Sequence, residues 1–233
     1  MNLFLMIQAA ERILENDDFV GEQMVEKSIN AFELMTKGGW IMAVLAVLSV
    51  VAVAIFIERF MILRKANRDE TNFMNRIKDY IHDGKIDSAL TLCQSSDYPI
   101  ARMIEKGVMR IGRPLNDVNT AIENVGNLEI TRMEKGLPII ASIAGGAPMI
   151  GFLGTVIGMI QSFWEMSNAG NNVMVDNLAG GIYVALVTTV GGLIVGIIAY
   201  FAYNILVSRI ERIVFKMQAR TMEFMDILNE PAR

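Results

Sequence analysis

The chain has 233 residues, 53% of them hydrophobic, with one cysteine, one histidine and a formal net charge of −4. A mean hydropathy of +0.39 and a pI near 5.2 make it too apolar for an ordinary soluble domain and too acidic for a nucleic-acid binder. Cys93 alone cannot form an internal disulfide, and His82 alone offers no metal cluster, so a disulfide scaffold is excluded and no metal or cofactor is expected.

Residues 1–37 come first. Met1 to Ala10 are apolar but lack a basic flank and a small-residue cleavage site, so no signal peptide is expected. From 11 to 37 seven acids face three bases, and Ile13, Leu14, Val20 and Met24 recur at helical spacing. Residues 1–37 therefore read as an amphipathic helix at the outer surface, with Trp40 marking the headgroup level just after it.

Charged residues then vanish from 38–57, and again from 136–164 and 177–208. About 20 apolar residues are enough for a helix to cross a bilayer core of about 30 Å. All three windows qualify, which predicts an all-α integral membrane protein with spans at 38–63, 136–165 and 177–208. The 21 lysines and arginines set its orientation: three lie in 1–37, thirteen in 58–135, none in 165–176 and five in 209–233. Positive residues near span ends stay cytoplasmic. The N-terminus is accordingly expected outside, 64–135 as a cytoplasmic helical domain, 166–176 as an external loop and 209–233 as a cytoplasmic amphipathic helix.

Within 64–135 the apolar residues recur at helical, not strand, spacing. Phe73, Ile77 and Ile81 end at Asp83-Gly84. Ile86, Ala89, Leu90 and Cys93 make a second stripe, and Ile100, Met103, Ile104 and Ile111 a third that opens at Pro99. From Pro114 onward Leu115, Val118, Ile122 and Val125 hold the period, and nothing strong breaks the run before Gly136. The second and third helices are thus expected to be long and to extend into the cytoplasm, the third through Ile210, Ile213, Met217, Phe224 and Leu228. This mass contains no phosphate loop and no nucleophile–base pattern, and reads as a bundle that orders subunits around one another. Cys93 reads as a core thiol, His82 as a surface imidazole, and Glu58–Arg59 as a surface pair worth under ~1 kcal/mol.

The second and third spans carry the specific signal. Ala147, Gly151, Thr155, Gly158 and Ser162 form one small, weakly polar face. Gly181, Ala185, Thr188 or Thr189, Gly192 and Gly196 form a matching one. Small residues lie where membrane helices approach closely, so Gly151, Gly158, Gly192 and Gly196 read as packing positions, and the threonines either as packing or as the lining of a polar path. Pro148 frees a carbonyl one turn earlier, near Ala144, and marks a kink. Neither span holds an Asp, Glu, Lys, Arg or His. Proton relays in membranes almost always use such a group, so a titrating carboxylate would have to come from another chain. The absence of acid, histidine and cysteine from both spans also sets aside a membrane-embedded enzyme.

The run Ala-Pro-Met-Ile-Gly-Phe-Leu-Gly-Thr-Val-Ile-Gly-Met at 147–159 resembles the signature of the MotA/TolQ/ExbB proton-channel family. So do Ala-Leu-Val-Thr-Thr-Val-Gly-Gly-Leu at 185–193, Tyr203-Asn204, Ile-Glu-Arg-Phe at 57–60 and Asp-Gly-Lys-Ile-Asp-Ser-Ala at 83–89. Three spans with an external N-terminus fit its ExbB and TolQ branch. The resemblance implies a homopentameric ring in the bacterial inner membrane whose second and third helices surround a pore. An ExbD-like single-span partner would sit inside and supply an aspartate, and a TonB-like protein would carry the work to outer-membrane transport. Carried over by position, the pore threonines are Thr155 and Thr189, with Thr188 beside them. Where many relatives carry a glutamate five residues before the third-span threonine, this chain has Val184. A TolQ-type motor and a non-conducting scaffold are the alternatives.

Overall fold

The structure, a computed structural model, describes residues 39–67, 72–168 and 175–229. The expected external helix of residues 1–37 lies outside them. Seven helices follow in order: α1 Gly39–Ala66, α2 Phe73–His82, α3 Ile86–Gln94, α4 Pro99–Val108, α5 Leu115–Glu134, α6 Leu137–Asn168 and α7 Val175–Asn229. No strand occurs among the described residues. Three helical stretches, within α1, α5–α6 and α7, are long and apolar enough to cross a membrane. They coincide with the charge-free windows.

α1 buries one narrow stripe, Ile41, Leu45, Ala52 and Leu63, against α6 and α7. Val47, Val50, Ile57 and Met61 point outward. A soluble helix would hide such residues; here their exposure fits a lipid surround. Arg64 and Lys65 occupy its last turn, where cations meet the negative end of the helix dipole.

The four shorter helices begin and end where the sequence punctuates them. α2 stops before Gly84, whose φ of +71° ends the helix. Pro99 opens α4 behind an extended Tyr98, a position where its missing N–H costs nothing. Each buries one face: Phe73 and Ile77 from α2, Ala89 and Cys93 from α3, Ile100 and Ile104 from α4, Val118 and Ile122 from α5. α2, α4 and α5 contact the far half of α7 directly, α3 packs on α2 and α4, and all share one core with Met217, Phe224 and Ile227. Fully burying a side chain of this size contributes about 1.5–3 kcal/mol. The closest approach is at Gly107, where an added Cβ would lie 2.5 Å from the Phe224 ring and 2.8 Å from Ile122 Cδ1. Phe73 and Tyr98 meet edge to face at 5.4 Å.

α7 runs 55 residues without a proline, about 80 Å at 1.5 Å per residue. Its first half pairs with α6, and its second half is the wall against which α2, α4 and α5 pack. The corresponding run in the second helix is stepped. α5 ends at Glu134, Lys135 turns out of the helix, and Gly136 at φ +87° starts α6 on a new axis. An added Cβ at Gly136 would come within 3.1 Å of Ile55 Cγ2 on α1, so glycine serves both the turn and the fit.

At this step lies a correction. Arg59 is not a surface residue: its side chain is 9% exposed, against 57% for its partner Glu58. Besides the 2.8 Å bond to Glu58, it donates through Nη1 to the Arg132 carbonyl at the end of α5. A second network sits beside it. Glu129, 5% exposed, accepts two bonds from Arg102, at 3.0 and 2.6 Å, and one from Arg132 at 2.6 Å. Asp97 joins Arg102 to Lys65 of α1 at 2.9 Å each, and the Lys65 ammonium beside it holds its carboxyl below the ordinary range. These pairs clamp α1, α4 and α5 together where the first span ends and the second begins.

Candidate functional site: the paired second and third spans

α6 and α7 pack along the most extensive contact in the molecule. What permits it is the absence of side chains. A Cβ added at Gly192 would stand 2.6 Å from the Ala147 carbonyl oxygen and 2.8 Å from Gly151 Cα; one at Gly151 would stand 2.9 Å from the Thr188 carbonyl oxygen. Gly158 would meet the Gly181 carbonyl oxygen and the Ala185 methyl at 3.0 Å each. In each case a glycine hydrogen faces a backbone carbonyl of the other helix, the arrangement in which weak Cα–H···O contacts form. Gly151, Gly158, Gly192 and Gly196 therefore all lie in the helix–helix contact.

Pro148 sits inside α6, which continues unbroken from Leu137 to Asn168. Gly196 of α7 receives the proline ring: its added Cβ would lie 2.6 Å from Cγ, 2.7 Å from Cδ and 3.1 Å from the Ala144 carbonyl oxygen. The carbonyl that the proline leaves without an amide thus faces the bare Cα of the neighbouring helix. That is one way a membrane helix tolerates proline.

The threonines divide. Thr188 is wholly buried between the helices, against Gly154, and its hydroxyl returns to the Ala185 carbonyl of its own helix at 2.8 Å. Thr155 is half-buried and likewise bonds back, to the Phe152 carbonyl. Ser162 does the same to Gly158 at 3.0 Å. Thr189, also half-buried, is the exception: it donates across the interface to the Gly151 carbonyl at 3.2 Å. That carbonyl is one turn before Thr155, so Thr189 stands beside Gly151, about one turn from Thr155 along α6, while Thr188 turns into the contact against Gly154. Gly154 was not singled out in the sequence, although Gly151, Gly154 and Gly158 follow the three-and-four spacing of a single face.

Against these helices the sequence can be matched to known proteins. The model of the MotA/TolQ/ExbB proton channel family matches residues 95–219, more than half of the chain and all of α6. The chain belongs to the MotA/TolQ/ExbB family. It is 31% identical over 188 residues to a biopolymer transport protein ExbB homolog of Methanothermobacter thermautotrophicus, covering 80% of this chain and 66% of that protein. To the Tol-Pal system protein TolQ of Haemophilus influenzae it is 29% identical over 231 residues, covering 88% and 96%. To the biopolymer transport protein ExbB of Aquifex aeolicus it is 36% identical over 102 residues, covering 43% and 68%.

For a member of a proton channel family, the side chains that this multi-pass membrane protein places in its spans matter directly. Its paired helices offer hydroxyls and backbone carbonyls but no Asp, Glu, Lys, Arg or His within 136–164 or 177–208. Hydroxyls can donate a hydrogen bond to a charged group brought beside them or accept one from it; they neither take up nor release a proton at ordinary pH. The outward faces of both helices remain apolar, with Met149, Phe152 and Ile160 on α6 and Leu186, Val190 and Ile194 on α7.

Proposed function

We propose that the chain is the ring subunit of an ExbB-type motor in the bacterial inner membrane, with its N-terminus periplasmic and its C-terminus cytoplasmic. Five copies surround a pore built from α6 and α7. An ExbD-like single-span partner inside it lends the aspartate, and a TonB-like protein carries the work to outer-membrane transport. The observation that carries this reading is that Thr155 and Thr189 stand half-buried within about one turn of each other on paired helices whose stretches 136–164 and 177–208 contain no carboxylate. There the hydroxyls form a polar docking station for the partner's ionised acid.

Magnitudes make the cycle workable. One charge moving through the membrane field releases about 2.3 kcal/mol per 100 mV, and a charged side chain at the bilayer centre costs about 2.5–3.5 kcal/mol on insertion scales. Field and desolvation are comparable, so protonation decides whether the partner's acid rests against the hydroxyls or crosses the apolar stretch beside them. A TolQ-type role is the second reading, supported by the nearly end-to-end similarity to a TolQ protein.

The test is proton flux into liposomes holding this chain with its single-span partner under an imposed gradient. Flux that requires both chains and the partner's aspartate supports the proposal. No flux from an assembled complex leaves a scaffold and defeats it.

A further inference from the structure

We propose that a pocket at the foot of the first and second spans binds the headgroup of an anionic phospholipid. The pocket, of about 450 Å³, opens between α1, α4 and the end of α5. Its place along the membrane normal is fixed by sequence: Arg59 follows the first charge-free window by one residue, and Lys135 immediately precedes the second. Both therefore lie at the headgroup plane of the same leaflet.

Five cations line it, Arg59, Lys65, Arg102, Arg132 and Lys135, against two acids, Asp97 and Glu129. Those acids are already shared, Asp97 between Lys65 and Arg102 and Glu129 between Arg102 and Arg132, and with Arg59 paired to Glu58 outside the pocket the five cations still meet only three acids. Lys135 is exposed and has no acidic partner among the described residues. Arg59 is buried, and its Nε has no hydrogen-bond partner among the described residues, an arrangement that natural interiors rarely leave standing. A phosphate in the pocket would add the charge that the two acids do not supply, and it would take up donors of Arg132 and Lys135 in the charge-assisted geometry that guanidinium and ammonium groups favour.

The source of the phosphate follows from the rim. Ile62, 40% exposed, lines the pocket on α1, and Ile139, half exposed, stands at the start of α6 just past Lys135. A soluble anion has no use for these apolar neighbours; the glycerol and upper acyl segments of a lipid do. The inference needs only the three spans and stands apart from the ring and its proton path.

The test uses the full chain in phosphatidylcholine nanodiscs that contain a small fraction of photoactivatable phosphatidylglycerol, with crosslinks mapped by peptide mass spectrometry. Labelling is expected within 59–66 and 129–135. Lys135→Ala and Arg132→Ala, both at exposed side chains, are each expected to lower it about fivefold, the effect of one cation near an anionic surface. Lys85→Ala, remote from the pocket, is expected to leave it unchanged. Equal labelling by photoactivatable phosphatidylcholine, or labelling indifferent to both pocket variants, overturns the proposal. Loss of labelling on adding excess inorganic phosphate overturns it too, because the pocket would then be a site for a free anion.

Discussion

The Thr189 hydroxyl donates to the Gly151 carbonyl across 3.2 Å, tying α7 to α6 through a backbone oxygen that already serves its own helix. Thr188, its neighbour in sequence, spends its hydroxyl within α7. Adjacent residues of the same type thus have separable roles. Thr189→Val and Thr155→Val are expected to lower proton-motive-force-driven uptake by about tenfold, equivalent to ~1.4 kcal/mol at the barrier, with assembly intact. Thr188→Val, similar in shape and losing a bond internal to one helix, is expected to stay close to the parent. Full activity in both Thr155→Val and Thr189→Val removes the docking role.

Glycine at 192 is required by space. Gly192→Ala places a methyl against the Ala147 carbonyl and Gly151 Cα, where only backbone could yield. A loss of about 1–3 kcal/mol is expected, the usual cost of overpacking, read as a lower unfolding temperature of the detergent-solubilised protein. Gly145→Ala meets nothing within 4 Å and is expected to change stability by no more than about 0.5 kcal/mol.

Glu129 is the buried acid on which two arginines converge. Glu129→Ala removes two of the three carboxylate bonds of Arg102, although Arg102 keeps Asp97, is itself 34% exposed and partly rehydrates. The expected destabilisation is about 1–3 kcal/mol. Measured the same way, Lys85→Ala, which removes an exposed pair with Asp83, is expected to have no measurable effect.

Cys93 supplies a pH-dependent test. Burial pushes its thiol up to about 12 from an ordinary value of 9.0. The folded state therefore holds this proton more tightly than the unfolded chain does. Its contribution to stability is complete below pH 9 and is lost as pH climbs from about 9 toward 12. Alkylation by iodoacetamide at pH 8 is expected to be negligible in the native protein and prompt after denaturation. Rapid native labelling would show that the thiol is not held in the core.

Much of the architecture could be read in advance because its causes are local. Three stretches without charge gave the spans, and Gly84 and Pro99 gave breaks, since each acts through its own backbone; the break at Lys135–Gly136 was missed, the helix from Pro114 being expected to run on into the second span. What escaped was set by partners distant in the chain. Whether residue 154 or 155 meets α7 depends on how the two helices cross: the face 147, 151, 154, 158, 162 and the face through 155 differ by one residue, a rotation of about 100°. Thr155 was therefore placed in the small-residue face that Gly154 occupies. Arg59 read as a surface charge because its buried acceptor, the Arg132 carbonyl, lies 73 residues away. Glu129 carried no signal at all; an acid on a helix with mixed apolar and polar residues is ordinarily solvated, and only the approach of Arg102 encloses it.

The unbroken course of α7 has a mechanical meaning. A rod about 80 Å long turns small angles into large strokes: a tilt of about 3° near Gly181 displaces Asn229 by about 4 Å. With no hinge to absorb the motion, whatever leans on the membrane half must also lever the helices stacked on Phe224.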